Sequence, residues 1–93
     1  MNWFVYIIRC SDESLYTGIT TQIDRRFNQH ATQQGAKYFR GRQPIELVYI
    51  EIKANRSAAS QREAAIKKLK RSEKLLLLSA ELNKIGDFSN QPL

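Results

Sequence analysis

Two runs of β-branched and aromatic residues lie near the start of the chain, separated by a short polar segment. The first run spans about Trp3 to Arg9 and the second about Leu15 to Thr20, with Ser11 to Ser14 between them. This pattern is typical of a β-hairpin. The hairpin constrains the fold more than any other feature, because it sets two neighbouring strands against which the rest of the chain must pack.

The first of these strands is apolar on both faces. Successive side chains point to opposite sides of a strand, so its residues fall into two sets: Trp3, Val5 and Ile7 on one face, and Phe4, Tyr6 and Ile8 on the other. A strand that is apolar on both faces is usually covered on both faces. We therefore expect it to be central or well covered.

Each strand of the hairpin carries one tyrosine, Tyr6 and Tyr16, and Gly18 follows the second. The two tyrosines share a face only if the connecting loop has an odd number of residues or the ladder contains a bulge, because side chains alternate. A two-residue turn at Asp12 and Glu13 would separate them. A glycine inside a strand often marks a bulge or the close approach of another group, so this part of the hairpin is the first indication of a site.

The remainder of the chain predicts the element order β-β-α-β-α-α. The expected elements are a helix at 21–31, a strand at 45–52, and helices at 57–69 and 72–84, with Thr21, Ser57 and Ser72 as N-caps and Gly86 as the last stop signal. The fold class is α/β of the α+β type, with a small, largely antiparallel three-stranded sheet flanked by helices. We expect one domain at residues 1–86 and a loose tail at 87–93.

Helical spacing predicts which residues of each helix are buried. The expected buried sets are Ile23, Phe27 and Ala31 in the first helix, Ala58, Ala65 and Leu69 in the second, and Leu75, Leu78 and Leu82 in the third.

Length and composition favour one small basic protein. The chain has 93 residues and a net charge of +6, and a basic surface of this kind favours a polyanionic partner. It has no apolar run long enough to span a bilayer and no secretion-signal pattern at its start, so we expect a cytoplasmic protein with no membrane contact. The single cysteine, Cys10, excludes an intramolecular disulfide or a zinc cluster of cysteines, and we expect it to be buried.

Arg26 and His30 are four residues apart on the first predicted helix and project from one face. They are suited to a two-pronged contact with a phosphate. The alternative is a solvated polar face on an ordinary amphipathic helix.

Two further basic segments could contact a nucleic acid. The loop at 32–44 interleaves cations with Tyr38 and Phe39, which suits backbone contacts together with stacking on bases; alternatively these rings anchor the loop on the core. Residues 56–74 are dense in Lys and Arg around Glu63, which is either a ligand for a divalent cation or the partner of Lys67 in an i, i+4 ion pair.

These residues resemble the motifs of the GIY-YIG nucleases, in particular the small single-domain bacterial members. The first motif corresponds to Phe4-Val5-Tyr6 and the second to Tyr16-Thr17-Gly18, followed in family order by Arg26, His30 and Glu63. The first glycine and the isoleucine of the two motifs are not kept. The resemblance covers about residues 4–70.

The resemblance implies metal-dependent endonucleolytic hydrolysis of DNA phosphodiester bonds, in branched or single-stranded DNA among other substrates. It implies that Glu63 holds one Mg²⁺ or Mn²⁺ ion and that the other four residues surround the scissile phosphate. Arg26 would stabilise the phosphoryl charge. Tyr6 is the preferred base, while Tyr16 and His30 position the water or relay its proton.

The partner implied is DNA, with RNA not excluded, and a protein partner could supply specificity. Residues expected to contact the nucleic acid are Gly18, Arg25, Lys37, Tyr38, Arg40, Arg62 and Lys67. Two alternatives remain open from the sequence. One is a non-catalytic nucleic-acid-binding module on the same scaffold, and the other is an adaptor whose basic helices dock on a protein.

Overall fold

The computed structural model describes residues 2–32, 37–80 and 83–85. Its elements are β1 (Trp3–Cys10), β2 (Leu15–Thr20), α1 (Ile23–Ala31), a short 3-10 helix (Lys37–Phe39), β3 (Pro44–Lys53), α2 (Arg56–Lys67) and α3 (Arg71–Leu77). The sheet has the order β2-β1-β3, and both strand pairs are antiparallel. The predicted fold class and the predicted order of strands and long helices are confirmed.

The loop of the hairpin contains three residues, 11 to 13. The Cys10 N–H donates to the Ser14 carbonyl at 2.9 Å, and Glu13 adopts a left-handed backbone with φ of 66°. Because the loop contains an odd number of residues, Tyr6 lies opposite Gly18 in the ladder and Tyr16 lies opposite Ile8. Tyr6 and Tyr16 therefore point to the same face of the sheet.

β1 is the central strand and separates two apolar clusters. On one face Tyr6, Ile8 and Cys10 pack with residues of α1, β3 and the 3-10 helix; on the other, Val5 and Ile7 pack with residues of β3 and α2. The prediction that β1 is covered on both faces is confirmed, and Cys10 is buried as expected. One face of the sheet is thereby committed to α2, and the other carries the tyrosines.

The three predicted N-caps are wrong. α1 begins after Gln22 with no side-chain cap, whereas the side chain of Asn55 caps α2 by accepting the Ala58 N–H at 2.8 Å. α3 begins after Lys70, whose N–H donates to the Glu73 carboxylate at 3.0 Å. Asn55 lies two residues before the predicted cap Ser57, and Glu73 lies one residue after the predicted cap Ser72. Each side chain satisfies a free backbone N–H as the expected hydroxyl would have done.

The last two helices are shorter than predicted, because α2 ends at Lys67 and α3 at Leu77. After α3 the chain returns to the sheet, where the Lys84 N–H donates to the Ile50 carbonyl at 2.7 Å. Leu82, Gly86 and the expected tail lie outside the described residues. Within residues 2–32, 37–80 and 83–85, no helix combines the length and the apolar character needed to cross a membrane.

The predicted buried faces of the helices are right only in part: Ile23 is buried, and Phe27 and Leu78 pack against the core as partly buried residues, but other positions differ. In α1, Ala31 is exposed while the neighbouring His30 is fully buried; in α2, Ala59 and Ile66 are buried while Ala65 is exposed. Leu75 of α3 is exposed. His30 can be buried because the Tyr6 hydroxyl on β1 provides a hydrogen-bonding partner for its imidazole.

Candidate active site

An aromatic cluster covers the face of the sheet that carries Tyr6. The ring of Tyr16 lies 6.2 Å from Tyr6 and 5.2 Å from His30, measured between centroids, and the ring of Phe39 lies 4.3 Å from His30. β1, β2, α1 and the 3-10 helix thus each contribute a ring. The structure brings together both tyrosines and His30, and it adds Phe39, for which the sequence left open stacking on bases or anchoring of the loop.

Tyr6 and His30 form a buried hydrogen-bonded pair. The Tyr6 hydroxyl lies 2.9 Å from Nε2 of His30, and the two residues are 2% and 0% exposed. His30 therefore does not project beside Arg26 for a two-pronged phosphate contact, as the spacing predicted. Instead, its Nε2 contacts the Tyr6 hydroxyl in the interior of the domain.

Gly18 leaves the space that the Tyr6 ring occupies. A Cβ atom built on Gly18 would lie 2.5 Å from the Tyr6 hydroxyl oxygen and 2.7 Å from Cζ. Real Cβ atoms do not come this close to other heavy atoms, so any side chain here displaces Tyr6. The glycine is buried and has a packing role; its contact with nucleic acid stays a prediction.

The ionisation of Tyr6 responds to Arg26 and Glu63. Burial raises the pKa of the phenol well above the usual tyrosine value, and the nearby Tyr16 raises the pKa further. The Arg26 guanidinium acts in the opposite sense, and the Glu63 carboxylate adds to the rise in pKa. Both charged groups thus lie close enough to act on this hydroxyl, although they come from α1 and α2.

His30 is neutral near pH 7. Burial lowers the pKa of its imidazole to about 4, and the positive charge of Arg26 lowers the pKa further. Its Nδ1 atom has no hydrogen-bonding partner among the residues described. The imidazole thus makes a single hydrogen bond within this part of the chain, to Tyr6.

Glu63 is partly exposed on α2. Its side chain is 23% exposed, and its Oε2 lies 3.5 Å from the Lys67 ammonium. The i, i+4 pair considered from the sequence is therefore present. Within the described ranges, no group of three or more His, Cys, Asp and Glu side chains is arranged to hold a metal ion, so any ion at Glu63 would depend on water and substrate for its other ligands.

The family of this chain is decided by comparison with known domains, in which residues 2–75 match the GIY-YIG catalytic domain. The chain belongs to the GIY-YIG nuclease family. The match includes all five residues that the sequence motifs single out, and the resemblance noted from the hairpin is confirmed.

Similar proteins of the same size are known from several organisms. A UPF0213 protein of Clostridium perfringens is 46% identical over 95% of this chain and 95% of its own length. A UPF0213 protein of Natronomonas pharaonis is 50% identical over 84% of this chain and 92% of its own length.

Two solution NMR structures resemble the GIY-YIG domain described above. A UPF0213 protein of Bacillus halodurans is 40% identical, with a TM-score of 0.58, over 96% of this chain and 95% of its own. A protein of E. faecalis is 32% identical, with a TM-score of 0.59, over 100% of this chain and 92% of its own.

The predicted nucleic-acid contacts of the GIY-YIG domain divide into two groups. Arg25, Lys37, Arg40 and Lys67 are exposed, as contact residues must be. Arg62 is different, because its Nε donates to the buried carboxylate of Glu51 at 3.0 Å. Arg62 therefore supports the fold, and its contact with nucleic acid stays a prediction.

Both aromatic residues of the loop before β3, Tyr38 and Phe39, pack against other parts of the domain. Phe39 is fully buried, and the partly buried Tyr38 stacks under Arg42, whose Cζ lies 4.2 Å from the ring centroid. Arg42 in turn donates to Asp12 of the hairpin loop at 2.6 Å. Of the two possibilities that the sequence left open, anchoring describes Phe39, while stacking of a base on the partly buried Tyr38 stays a prediction.

Proposed function

We propose that this GIY-YIG domain is a metal-dependent endonuclease that hydrolyses DNA phosphodiester bonds. The observation that carries the proposal is the buried Tyr6–His30 pair, in which Arg26 and Glu63 both act on the pKa of the Tyr6 hydroxyl. A neutral acceptor, a cation and a carboxylate around one hydroxyl are the groups that water attack on a phosphodiester requires. Membership of the GIY-YIG family supports the same chemistry.

Glu63 would hold one Mg²⁺ or Mn²⁺ ion. Its carboxylate is partly exposed and provides hard oxygen ligands, and Mg²⁺ commonly binds through one carboxylate with water and substrate phosphate completing its shell. His30 does not fit the ligand set, because its Nε2 bonds to Tyr6 and its Nδ1 is buried. When bound, the ion supplies positive charge to the phosphoryl oxygens.

Tyr6 and His30 would act together as the base. Neutral Tyr6 donates its proton to Nε2 of His30 while it accepts one from the attacking water, so that no free phenolate is needed. The lowered pKa of His30 leaves its imidazole unprotonated and able to accept at neutral pH, and the raised pKa of Tyr6 keeps the phenol protonated before the water attacks. Tyr16 would position the water from the side.

Arg26 would stabilise the transition state. Its guanidinium lies near the Tyr6 hydroxyl, where its charge acts on the phenol, and its planar set of N–H donors matches phosphoryl oxygens better than a lysine would. The water oxygen forms the new bond to phosphorus, and the bridging oxygen departs and takes a proton from solvent.

The exposed cations of the domain would hold the nucleic acid. Arg25, Lys37, Arg40 and Lys67 provide the contacts, and a protein partner could supply specificity. We propose DNA as the substrate and the cytoplasm as the location.

The test is a cleavage screen with Mg²⁺ and with Mn²⁺ over single-stranded, duplex, flap and branched DNA. We expect Glu63→Ala to lower the rate at least about a hundredfold, since a metal ion contributes several kcal/mol to phosphoryl charge stabilisation. Glu46→Ala is the matched control, because Glu46 is an exposed carboxylate paired with Arg9. This variant should cleave like the unmodified protein.

A negative screen would favour the non-catalytic binding module instead. If no substrate is cleaved with either ion and Glu63→Ala changes neither cleavage nor binding, the nuclease proposal is wrong. A binding module would keep its salt-sensitive affinity for DNA in the presence of a chelator.

A further inference from the structure

An open groove lies beside the candidate active site. It has a volume of about 390 Å³, which is within the range of sites that hold small molecules. Its lining includes Trp3, Ile19, Gln22, Arg25, Arg26 and Arg56. We call it the arginine groove.

The arginine groove is strongly positive. Three of its lining residues are arginines, and none is Asp or Glu. Among the residues described, Arg25, Arg26 and Arg56 take part in no ion pair, in contrast to Arg9, Arg42 and Arg62. Three guanidinium groups without carboxylate partners around one concave surface fit a phosphate-bearing ligand.

The groove also offers an aromatic face. Trp3 is partly exposed at the start of β1, and the guanidinium carbon of Arg56 lies 5.8 Å from the centroid of its ring. A nucleotide base can stack on one accessible aromatic face. Arg56 is exposed, so it can change rotamer and free the face of the Trp3 ring for a base.

Arg26 connects the groove to the candidate active site. It lines the groove, and its charge also acts on the Tyr6 hydroxyl. A strand whose phosphate lies at Arg26 and Tyr6 would therefore continue into the groove.

We propose that the arginine groove binds one unpaired nucleotide next to the cleaved phosphodiester, with its base on Trp3 and its phosphate on Arg25 and Arg56. A base that is still paired and stacked in a duplex cannot present its face to Trp3, so the substrate has a single-stranded segment at the cleavage position. This inference rests on the proposed nuclease function for the position of the cut, but binding in the groove is measured without cleavage.

The experiment uses the fluorescence of Trp3, which is the single tryptophan of the chain. The full-length protein is titrated with a short oligothymidylate and with a matched duplex, in a chelator so that no cleavage occurs. Anisotropy of the labelled DNA reports total binding, and Trp3 emission reports the groove. We expect saturable quenching by the single strand, in step with the anisotropy change, and little quenching by the duplex.

Two variants separate stacking from general charge. Trp3→Leu should weaken single-strand binding about 5- to 150-fold, which is the range that loss of one stacked base gives. Arg56→Gln should weaken binding and lower the slope of log affinity against log salt by about 0.7. Lys68→Gln is the matched control, because it removes one charge at the other end of α2, roughly 18 Å away along the helix, and should leave the slope unchanged.

Three results would overturn the inference. They are single-strand binding without a change in Trp3 emission, equal quenching by the duplex, and unchanged affinity in both Trp3→Leu and Arg56→Gln; absence of any binding would overturn it as well. Quenching without cleavage in the metal screen would leave the groove assigned and refute the nuclease proposal. Cleavage without quenching would support the nuclease proposal and refute the assignment of the groove.

Discussion

Gly18 is the residue on which the position of Tyr6 depends. Replacing it by alanine would place a Cβ atom 2.5 Å from the Tyr6 hydroxyl oxygen and 2.7 Å from Cζ, so the ring must move and its hydrogen bond to His30 must lengthen or break. We expect Gly18→Ala to cost about 1–3 kcal/mol of stability, as overpacking does, and to abolish most cleavage. Urea unfolding and the cleavage rate measure the two effects.

Gly41 provides the control for this substitution. It has a left-handed backbone with φ of +78°, and a Cβ atom there would meet nothing within 4 Å. Gly41→Ala should therefore cost about 1–2 kcal/mol from backbone strain alone and leave the cleavage rate intact. Equal losses of cleavage in both variants would contradict the role of Gly18 in leaving space for the Tyr6 ring.

His30 should make stability depend on pH. Its pKa falls from 6.5 to about 4 on folding, so between these values the unfolded chain binds the proton and the folded chain does not. The free energy of unfolding therefore decreases as the pH falls from 6.5 to about 4, by up to about 3 kcal/mol. Urea unfolding across this range measures the decrease.

The His30→Gln variant isolates this contribution, since carboxylates titrate in the same range. The difference in unfolding free energy between the two proteins should change with pH by the amount expected for one imidazole. A difference that stays constant over the range would show that His30 is not buried in its neutral form. Arg26 and Tyr6 are the charged and titratable groups that act on it.

The contact between β3 and α2 depends on a buried carboxylate. Glu51 is 4% exposed and accepts hydrogen bonds from Tyr49 at 2.6 Å and from Arg62 at 3.0 Å, with Lys53 at 2.7 Å. Burial alone would raise the pKa of Glu51, but its bonds to Lys53, Tyr49 and Arg62 outweigh burial and lower the pKa. This cluster joins the strand to the helix that carries Glu63.

Removing that carboxylate should loosen α2. We expect Glu51→Ala to lower the free energy of unfolding by about 1–3 kcal/mol, because the buried Tyr49 hydroxyl and the partly exposed Arg62 and Lys53 lose their partner. Glu46→Ala breaks an exposed pair with Arg9 and should cost no more than about 1 kcal/mol. Similar losses in the two variants, measured by urea unfolding, would refute a structural role for the Glu51 cluster.

At the scale of the whole molecule, the net charge of +6 should appear as salt-dependent DNA binding. In a chelator, contacts from Arg56 of the arginine groove and from the exposed cations Arg25, Lys37, Arg40 and Lys67 would give a slope of log affinity against log salt of about −3.5 for single strands. The double variant Lys37→Gln, Arg40→Gln should reduce its magnitude by about 1.4. Fluorescence anisotropy at several salt concentrations measures these slopes.

Arg62→Gln distinguishes charge that faces the nucleic acid from charge that holds the fold. Because Arg62 is paired with buried Glu51, we expect the slope to remain unchanged in this variant while its stability decreases. A reduced slope with unchanged stability would restore Arg62 to the nucleic-acid surface. Weak binding that does not saturate would favour the protein adaptor considered from the sequence.

Local pattern by itself determined the hairpin, the element order and the types of residue at the site. Tyr6 and Tyr16 occur at positions whose alternation demands an odd loop, and the three-residue loop fulfils that requirement. β1 is apolar at consecutive positions, which leaves it no solvent-facing side. These properties follow from the strand period of two, which depends only on neighbouring residues.

Tertiary structure decided which polar groups are buried and which faces of the helices point inward. α2 has alanines at 58, 59, 64 and 65 on several faces, so its rotation is set by the sheet and not by its own weak pattern. His30 and Glu51 are buried only because Tyr6, Arg62 and Lys53 lie opposite them. A polar group enters a core when a distant partner satisfies it, and no local pattern records that partner.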